Sequence, residues 1–600
     1  MPLALPISKS MKQPTLQRAR RRQMATLSGE DKEFTSFTHT VEDGIAVDGL
    51  GEVEPVEIEG IPEEEYVPPV EHSSGRLTPS QCRIQRVQPE RRAKIATLRK
   101  SLQKVLFNPG VHFIRDPRTG HRNFEFSLED VPSKDDFAYH RCPSYISPSK
   151  DASLARLAEQ NGAHFIGSTS SLTQSLSNFY FALSGGKGIN LSTISMDFQD
   201  NRSDFTAGAS LAASIILRPI SDHPGVYAID SDKSHDVENV LSDIGRVLEK
   251  VLTSEDQDFQ RFLKSAPESA VPEKERTAPE AYSYCKSGSM LMRSQLDCWD
   301  RRLPGSGVFD IKTRACHPIR HDRANYEANS VYDISTDRGK GATFERELYD
   351  LARSGMLKYT MQARIGGMDG ILCAFHNTKR LMGFQYLPLA EMDEILFGSS
   401  DIGDMAFRYS VSLFEATLKH ITSKISDEPV AVIIRHTYGT ANSVDVAFHP
   451  LGKPEETHGL RVAILNVVNQ ESVVGELVID PELNPKRDWV VKYRLNSLSA
   501  KSTIKLLSST QKIFDSMAVL SVPEGKTVEE MTAASAASGG AEMTDTGDAR
   551  GQVQWKKADG YILGIRREAK KIGAEYEARK KGWRRIWAAA RVIKEEEGTA

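Results

Sequence analysis

The sequence predicts an α/β fold, a mixed sheet flanked by helices, with an added β-rich C-terminal region and disordered ends. Three observations predict it. Residues 281–387 run strand, strand, strand, helix, strand, strand. Residues 429–522 carry strand-like runs in succession, VAVIIRH, VDVAFH, LRVAILNVV, VVGELVI and WVVKYRL, before a helical LSSTQKIFDSMAVL. Both ends are compositionally biased, as chains that bury little apolar surface are.

The first 29 residues contain six Lys or Arg and no Asp or Glu, with Ser and Thr between them, the composition of a mitochondrial transit peptide. Residues 30–80 reverse the sign, PEEEYVPPVE being the extreme, and read as an acidic disordered linker. The near balance of 77 basic against 81 acidic residues hides this segregation. Residues 526–552 are a low-complexity linker, and residues 553–600 a basic helical tail carrying Trp583 and Trp587. Such a tail suits RNA phosphates or an anionic lipid surface, where the two indoles would sit among headgroups.

Between these ends, residues 83–390 read as a core domain with an N-terminal extension, and 391–525 as the β-rich lobe. Residues 83–105 look like a basic helix, and turns at Asn108-Pro109-Gly110 and Asp116-Pro117 bracket a short strand. Leu172, Leu176, Phe179 and Leu183 form one stripe of an amphipathic helix that stops at Ser184-Gly185-Gly186. The GGKG at 185–188 lacks the spacing of a phosphate-binding loop. Residues 232–262 read as helical, followed by a Pro- and charge-rich loop at 264–280. Six scattered cysteines, with no CxxC among them, indicate neither a disulfide framework nor a zinc site, and no apolar run is long enough to span a membrane.

The chemistry concentrates in LDCWDRRLPGSGVFDIKTRA, residues 296–315. On a strand Asp310 and Lys312 share one face while Phe309 and Ile311 share the other. The turn at Leu303–Gly307 joins this strand to the run 281–300 as a hairpin. A hairpin loop with an even number of residues puts Asp297 on the face of Asp310 and Lys312, and Asp300 on the other; a bulge inverts that choice. Two converging carboxylates suit Mg²⁺ or Mn²⁺, which take oxygen ligands, and a nearby lysine can offset phosphate charge. The bland alternative is a solvated D-x-K edge with a surface ion pair worth about 0–1 kcal/mol. On the following helix Gln362 shares a face with Lys358.

Asp, then D-x-K on the next strand, then a helix-borne Gln resembles the PD-(D/E)xK nuclease superfamily. LFNPGVHFIRDPRTGHRNF, FIGSTSSLTQSLSNFYFALSGGK, MRSQLDCWDRRLPGSGVFDIKTRA and LKYTMQARIGGMDGILCAFHN, in that order, resemble a fungal family of mitochondrial membrane-associated RNA-processing proteins. The resemblance implies a PD-(D/E)xK nuclease-like core, mitochondrial residence on the matrix side of the inner membrane, and RNA 5′-end processing with 5′-to-3′ degradation. It implies Asp297 and Asp310 as metal ligands for Mg²⁺ or Mn²⁺, Lys312 as catalytic lysine and Gln362 as the polar residue beside them. Implied partners are mitochondrial RNA, the RNA degradation machinery or the mitochondrial RNA polymerase, and the inner membrane. The superfamily often places a Glu on its first core helix; SSLTQSLSNFYFALSGG has none, and Gln174 is its nearest substitute. Two alternatives stand: a non-catalytic regulator binding mitochondrial RNA polymerase or RNA, and a DNA nuclease.

Overall fold

The computed structural model describes residues 73–90, 92–236, 240–437, 442–473, 475, 488–537 and 553–597. The expected targeting segment, most of the acidic linker and residues 538–552 lie outside these. The architecture is mixed α/β, built on two main sheets among the described residues.

The smaller, five-stranded sheet contains β1 (Val111–Phe113), β2 (Cys298–Trp299), β3 (Val308–Ala315), β4 (Gly370–His376) and β5 (Leu381–Pro388), in the order β1-β5-β4-β3-β2. β3 and β4 are parallel and the other pairs antiparallel. A parallel pair needs a crossover, here supplied by helices that include α3 (Phe344–Ser354) and α4 (Met356–Gly366). The sheet is covered on both faces, which explains the unbroken apolar runs of its central strands. Phe309, Ile311, Leu372, Ala374 and Phe384 pack against α2 (Val240–Thr253) through Ile244, Val247, Leu248, Val251 and Leu252. On the opposite face Ile371, Cys373, Phe375 and Leu387 join the core that holds Phe344, Leu351, Met356, Leu357, Met361 and Ile365.

The larger sheet has twelve strands among the described residues and draws on both halves of the chain. Val430–Arg435 pairs with Ala213–Pro219, so the strands expected as a C-terminal lobe hydrogen-bond directly into the sheet that holds Phe165–Ser168 and Met290–Gln295. Ser73–Leu77, expected within the disordered linker, is a strand paired with Trp489–Ser497. Helices α1 (Thr169–Ser184) and α5 (Ser400–Lys424) pack on this sheet and on each other. The predicted stripe Leu172, Leu176, Phe179 and Leu183 is fully buried. Gly185, in the left-handed region at φ 62°, ends α1 where the glycine pair predicted.

Residues 83–105 are not the expected helix. Gln85–Val87 is a strand, residues 92–99 form no regular element, and Leu102–Phe107 turns as a 3₁₀ helix. Pro89 interrupts any helix there, and Ile95 and Leu98 are taken into the apolar clusters of the site's sheet. The low-complexity segment also begins with order, Val528–Ala537 being helical.

The C-terminal helix α6 (Gly560–Glu597) is the predicted basic helix, and it is docked. Ile562, Ile565, Arg566, Ala569, Tyr576 and Trp583, at helical spacing, are buried. Arg566 grips Asp322 with two hydrogen bonds (2.7 and 3.1 Å), both side chains being buried. The Trp583 indole donates to Pro117 O (3.1 Å) and lies so close to Gly120 that a Cβ there would meet it at 2.5 Å. Trp583 therefore cannot serve as the interfacial anchor expected from sequence; Trp587 remains 46% exposed. No described helix is long and apolar enough to cross a membrane.

Candidate active site

The hairpin that carries the acids is narrower than predicted. The run 281–300 is not one strand: Tyr282–Ser287 and Met290–Gln295 pair with each other in the large sheet, and the chain then passes to the small sheet at Cys298. The turn falls at Gly288, φ 54°, within the polar Lys286-Ser287-Gly288-Ser289, a turn signal in the sequence itself. Only β2 pairs with β3, in the register Trp299 to Val308 and Cys298 to Phe309. That register leaves an even loop, so its continuation sets Asp297 opposite Asp310, as the even-loop reading required.

The loop is held from two sides. Asp369 accepts from the backbone N–H groups of Ser306 and Gly307, both at 2.8 Å, and Asp300 N donates to Gly307 O (2.8 Å). Gly307 sits at φ 79°, where a Cβ would meet the Trp299 indole nitrogen at 2.6 Å. Asp300 is occupied by Arg302, which holds its carboxyl below the usual range, and it belongs to the turn.

Asp310 is 1% exposed. Gln362 Nε2 donates to its Oδ1 (3.1 Å), while Oδ2 makes no hydrogen bond and lies in an ion pair with Lys312 Nζ. Asp297 Oδ2 accepts from Ile311 N (2.9 Å). Asp297 from the segment just before β2, Asp310 and Lys312 from β3, and Gln362 from α4 thus meet at one place. Lys358, on the same helix, has its pKa lowered by burial.

The helix that presents Gln362 is fixed at its C-terminal end. Arg86 donates from both terminal nitrogens to Ile365 O and Arg364 O (2.6 Å each), satisfying carbonyls that a helix end leaves open. Gly367, in the left-handed region at φ 68°, then turns the chain toward β4.

Electrostatics add residues that the sequence did not reveal. Asp297 is pushed well above the carboxylate range by burial first, then by the charges of Asp310 and Glu249 and by its hydrogen bond with Asp310. Glu249, on α2, is raised to about 7 by burial and by the charges of Glu280 and Asp310. Burial also raises Glu280. For Lys312 burial acts to lower the pKa, but the charges of Asp310 and Asp297 outweigh it and hold the ammonium protonated. Its Nζ also lies 5.0 Å above the Tyr359 ring.

Glu249, on the helix packed against β3, is thus the carboxyl whose charge bears on Asp297 and Asp310. Gln174, the substitute expected on α1, is bound instead to the carbonyls of Ala209 and Leu211 (3.3 and 2.5 Å) in the other layer. The helix against β3 is α2, whose Gly245 passes within 3.2 Å, measured from a notional Cβ, of Thr313 Oγ1. The available signal was the apolar spacing Ile244, Val247, Leu248, Val251 and Leu252, which leaves Glu249 at the edge of the buried face.

Asp297 and Asp310, meeting beside Lys312, offer hard oxygen donors of the kind that suit Mg²⁺ or Mn²⁺, and the charge of Glu249 bears on both acids. Among the described residues, the group of three ligand-type side chains whose donor atoms lie within 4.8 Å of one another is His317, His321 and Asp350, and it fits a cation poorly. Arg346 donates to His317 Nε2 (3.0 Å), and Arg320 binds Asp350 (2.6 Å), so guanidinium groups already take the positions a cation would need.

The family model described as "Mitochondrial protein Pet127" matches residues 145–419, a span that includes Glu249, Asp297, Asp310, Lys312 and Gln362. The "mRNA degradation protein pet127, mitochondrial" of Schizosaccharomyces pombe is 33% identical over 429 residues, 66% of this chain and 80% of that protein. The "Putative mitochondrial translation system component PET127" of Saccharomyces cerevisiae is 38% identical over 308 residues, half of this chain and 36% of that protein. On this likeness in sequence, the chain belongs to the Pet127 family of mitochondrial proteins.

Proposed function

We propose that this chain trims and degrades mitochondrial RNA by metal-dependent hydrolysis of phosphodiester bonds, on a core of the PD-(D/E)xK nuclease kind. The observation that carries the reading is the meeting of Asp297 and Asp310 at Lys312, with Gln362 holding Asp310. The names of the relatives support the substrate and compartment: one is called a mitochondrial mRNA degradation protein. Processing of transcript 5′ ends and 5′-to-3′ turnover at the matrix face of the inner membrane extend the same reading.

Asp297 and Asp310 would hold Mg²⁺ or Mn²⁺, which when bound neutralises charge on the scissile phosphate and lowers the pKa of water. Lys312, kept charged by its acid neighbours, offsets the negative charge that builds on the phosphate and is unsuited to act as a base. Glu249, raised to about 7, is the carboxyl matched to holding and releasing a proton near neutral pH. Gln362 fixes one oxygen of Asp310, and the backbone N–H of Ile311 fixes one of Asp297, so the acids are oriented before substrate arrives.

The test is incubation of the full chain with 5′-labelled and 3′-labelled single-stranded RNA in Mg²⁺ or Mn²⁺, beside Asp310→Ala. Metal-dependent release from the 5′ end, lost in the variant, is expected. RNA binding without cleavage in either metal overturns the enzyme reading and leaves a regulator of the mitochondrial RNA polymerase or its transcripts.

A further inference from the structure

We propose that a cleft at the far edge of the site's sheet holds single-stranded RNA away from the chemistry, an inference that rests on the RNA-directed reading above. The cleft, about 430 Å³, runs beside the edge strand β1 and is lined by Lys104, His112, His121, Arg122, Asn123 and Phe124, with no acidic side chain among its walls. Its size falls within the range of small-ligand clefts.

The rim pairs cations with flat apolar rings. Lys104 Nζ lies 4.1 Å from the centre of the Phe124 ring, and the Arg122 guanidinium 4.3 Å from that of Phe126, which is itself 64% exposed. The Trp587 indole donates to Thr119 O (3.0 Å), which fixes the ring, and it lies 6.1 Å from the His121 imidazole. Arg118, Arg584 and Arg585 are exposed nearby in sequence. Glu129, bonded to Arg115 and Arg122, supplies the neighbouring negative charge. The C-terminal helix thus forms part of the rim.

Cations beside exposed aromatic rings match a chain that alternates phosphates with unstacked bases. A duplex hides its bases and can use only the cations. An anionic lipid surface could take Trp587 and the arginines, but a flat surface does not enter a recess walled by His112 and Phe124. The cleft is also aligned with the acids: Val111, Gln385, Cys373 and Lys312 lie in one row across the sheet. Three strand spacings, roughly 14 Å, separate its ends; Gln385 and Cys373 between them are buried, so the row measures the separation and is not itself a path for RNA.

The test measures binding of a short labelled single-stranded RNA to the full chain in EDTA, so that no cleavage occurs. Phe126→Ala and Trp587→Ala, both on exposed side chains, are each expected to weaken binding about tenfold. Lys104→Ala combined with Arg118→Ala should reduce the slope of log affinity against log salt by about 1.4, two phosphate contacts' worth. Unchanged affinity and slope in a chain that still cleaves RNA overturns the cleft alone. Binding lost in these variants, with wild type inert in Mg²⁺ and Mn²⁺, supports the cleft and overturns the chemistry; a wild type that binds no RNA overturns both. Loss of binding to cardiolipin vesicles with RNA affinity intact overturns the cleft in favour of a lipid surface.

Discussion

Asp297 and Asp310 stand opposite each other at the open end of the β2–β3 pair, the first tied to Ile311 N, the second to Gln362 and Lys312. The pairing puts two acids and a cation within a hydrogen-bonded unit, and each member can be tested separately.

Asp310→Asn and Lys312→Met are expected to lower the cleavage rate at least about a hundredfold, since the first removes a carboxylate that would hold the metal and the second the cation that offsets charge on the reacting phosphate. Single-turnover kinetics on labelled RNA, with circular dichroism to show an unchanged fold, make the measurement. Wild-type rates in either variant would remove these residues from the chemistry.

Asp297 and Asp300 separate two readings of the hairpin. Asp297→Asn should lose activity as Asp310→Asn does, whereas Asp300→Asn, in a turn and paired with Arg302, should retain most of it. A reversed ranking would mean that the hairpin has the other register.

The metal should bind more weakly in acid. Glu249 has a folded pKa of about 7 against an ordinary 4.5, so the metal-free folded chain takes up a proton that the unfolded chain does not hold between those values. That stabilisation is complete below about pH 4.5 and is lost as pH rises through 7, where the carboxylate's charge adds to the pull of Asp297 and Asp310 on a cation. Losing that charge, beside the proton that the raised Asp297 also takes up, should make Mn²⁺ affinity at least about tenfold weaker at pH 6 than at pH 8. Titration followed by thermal shift should show this dependence flattened in Glu249→Gln; a pH-independent affinity in wild type would separate Glu249 from the metal.

Trp583→Ala should cost about 3–5 kcal/mol of stability, as truncating a buried Trp does. Trp587→Ala should stay within about 0.5 kcal/mol, its ring being half exposed. Urea unfolding of the full chain ranks the two; equal midpoints would mean that α6 contributes nothing to the stability of the core.

Asp310, Lys312 and Asp297 were legible because strand periodicity is local and an even loop fixes which residues face one another. Glu249 was not. Its place depends on which helix lies against β3, and the 264–280 excursion separates α2 from the strands it serves. The apolar stripe of α1 is the clearest helix signal in the chain, yet it belongs to the other layer. Residues 83–105 failed for a related reason: their cations suggested a solvated helix, while Arg86 is spent on the carbonyls at the end of α4.

The stretch Met290–Trp299 belongs to both sheets, pairing through Gln295 in one and from Cys298 in the other, with Asp297 in the crossing. Since Val430–Arg435 also seals the larger sheet, no excised fragment can carry the acids and leave the later strands behind without opening a hydrogen-bonded edge. Dissection of this protein into a minimal piece that carries the acids is therefore expected to yield insoluble material, and genetic truncations before residue 497 should behave as complete losses of function.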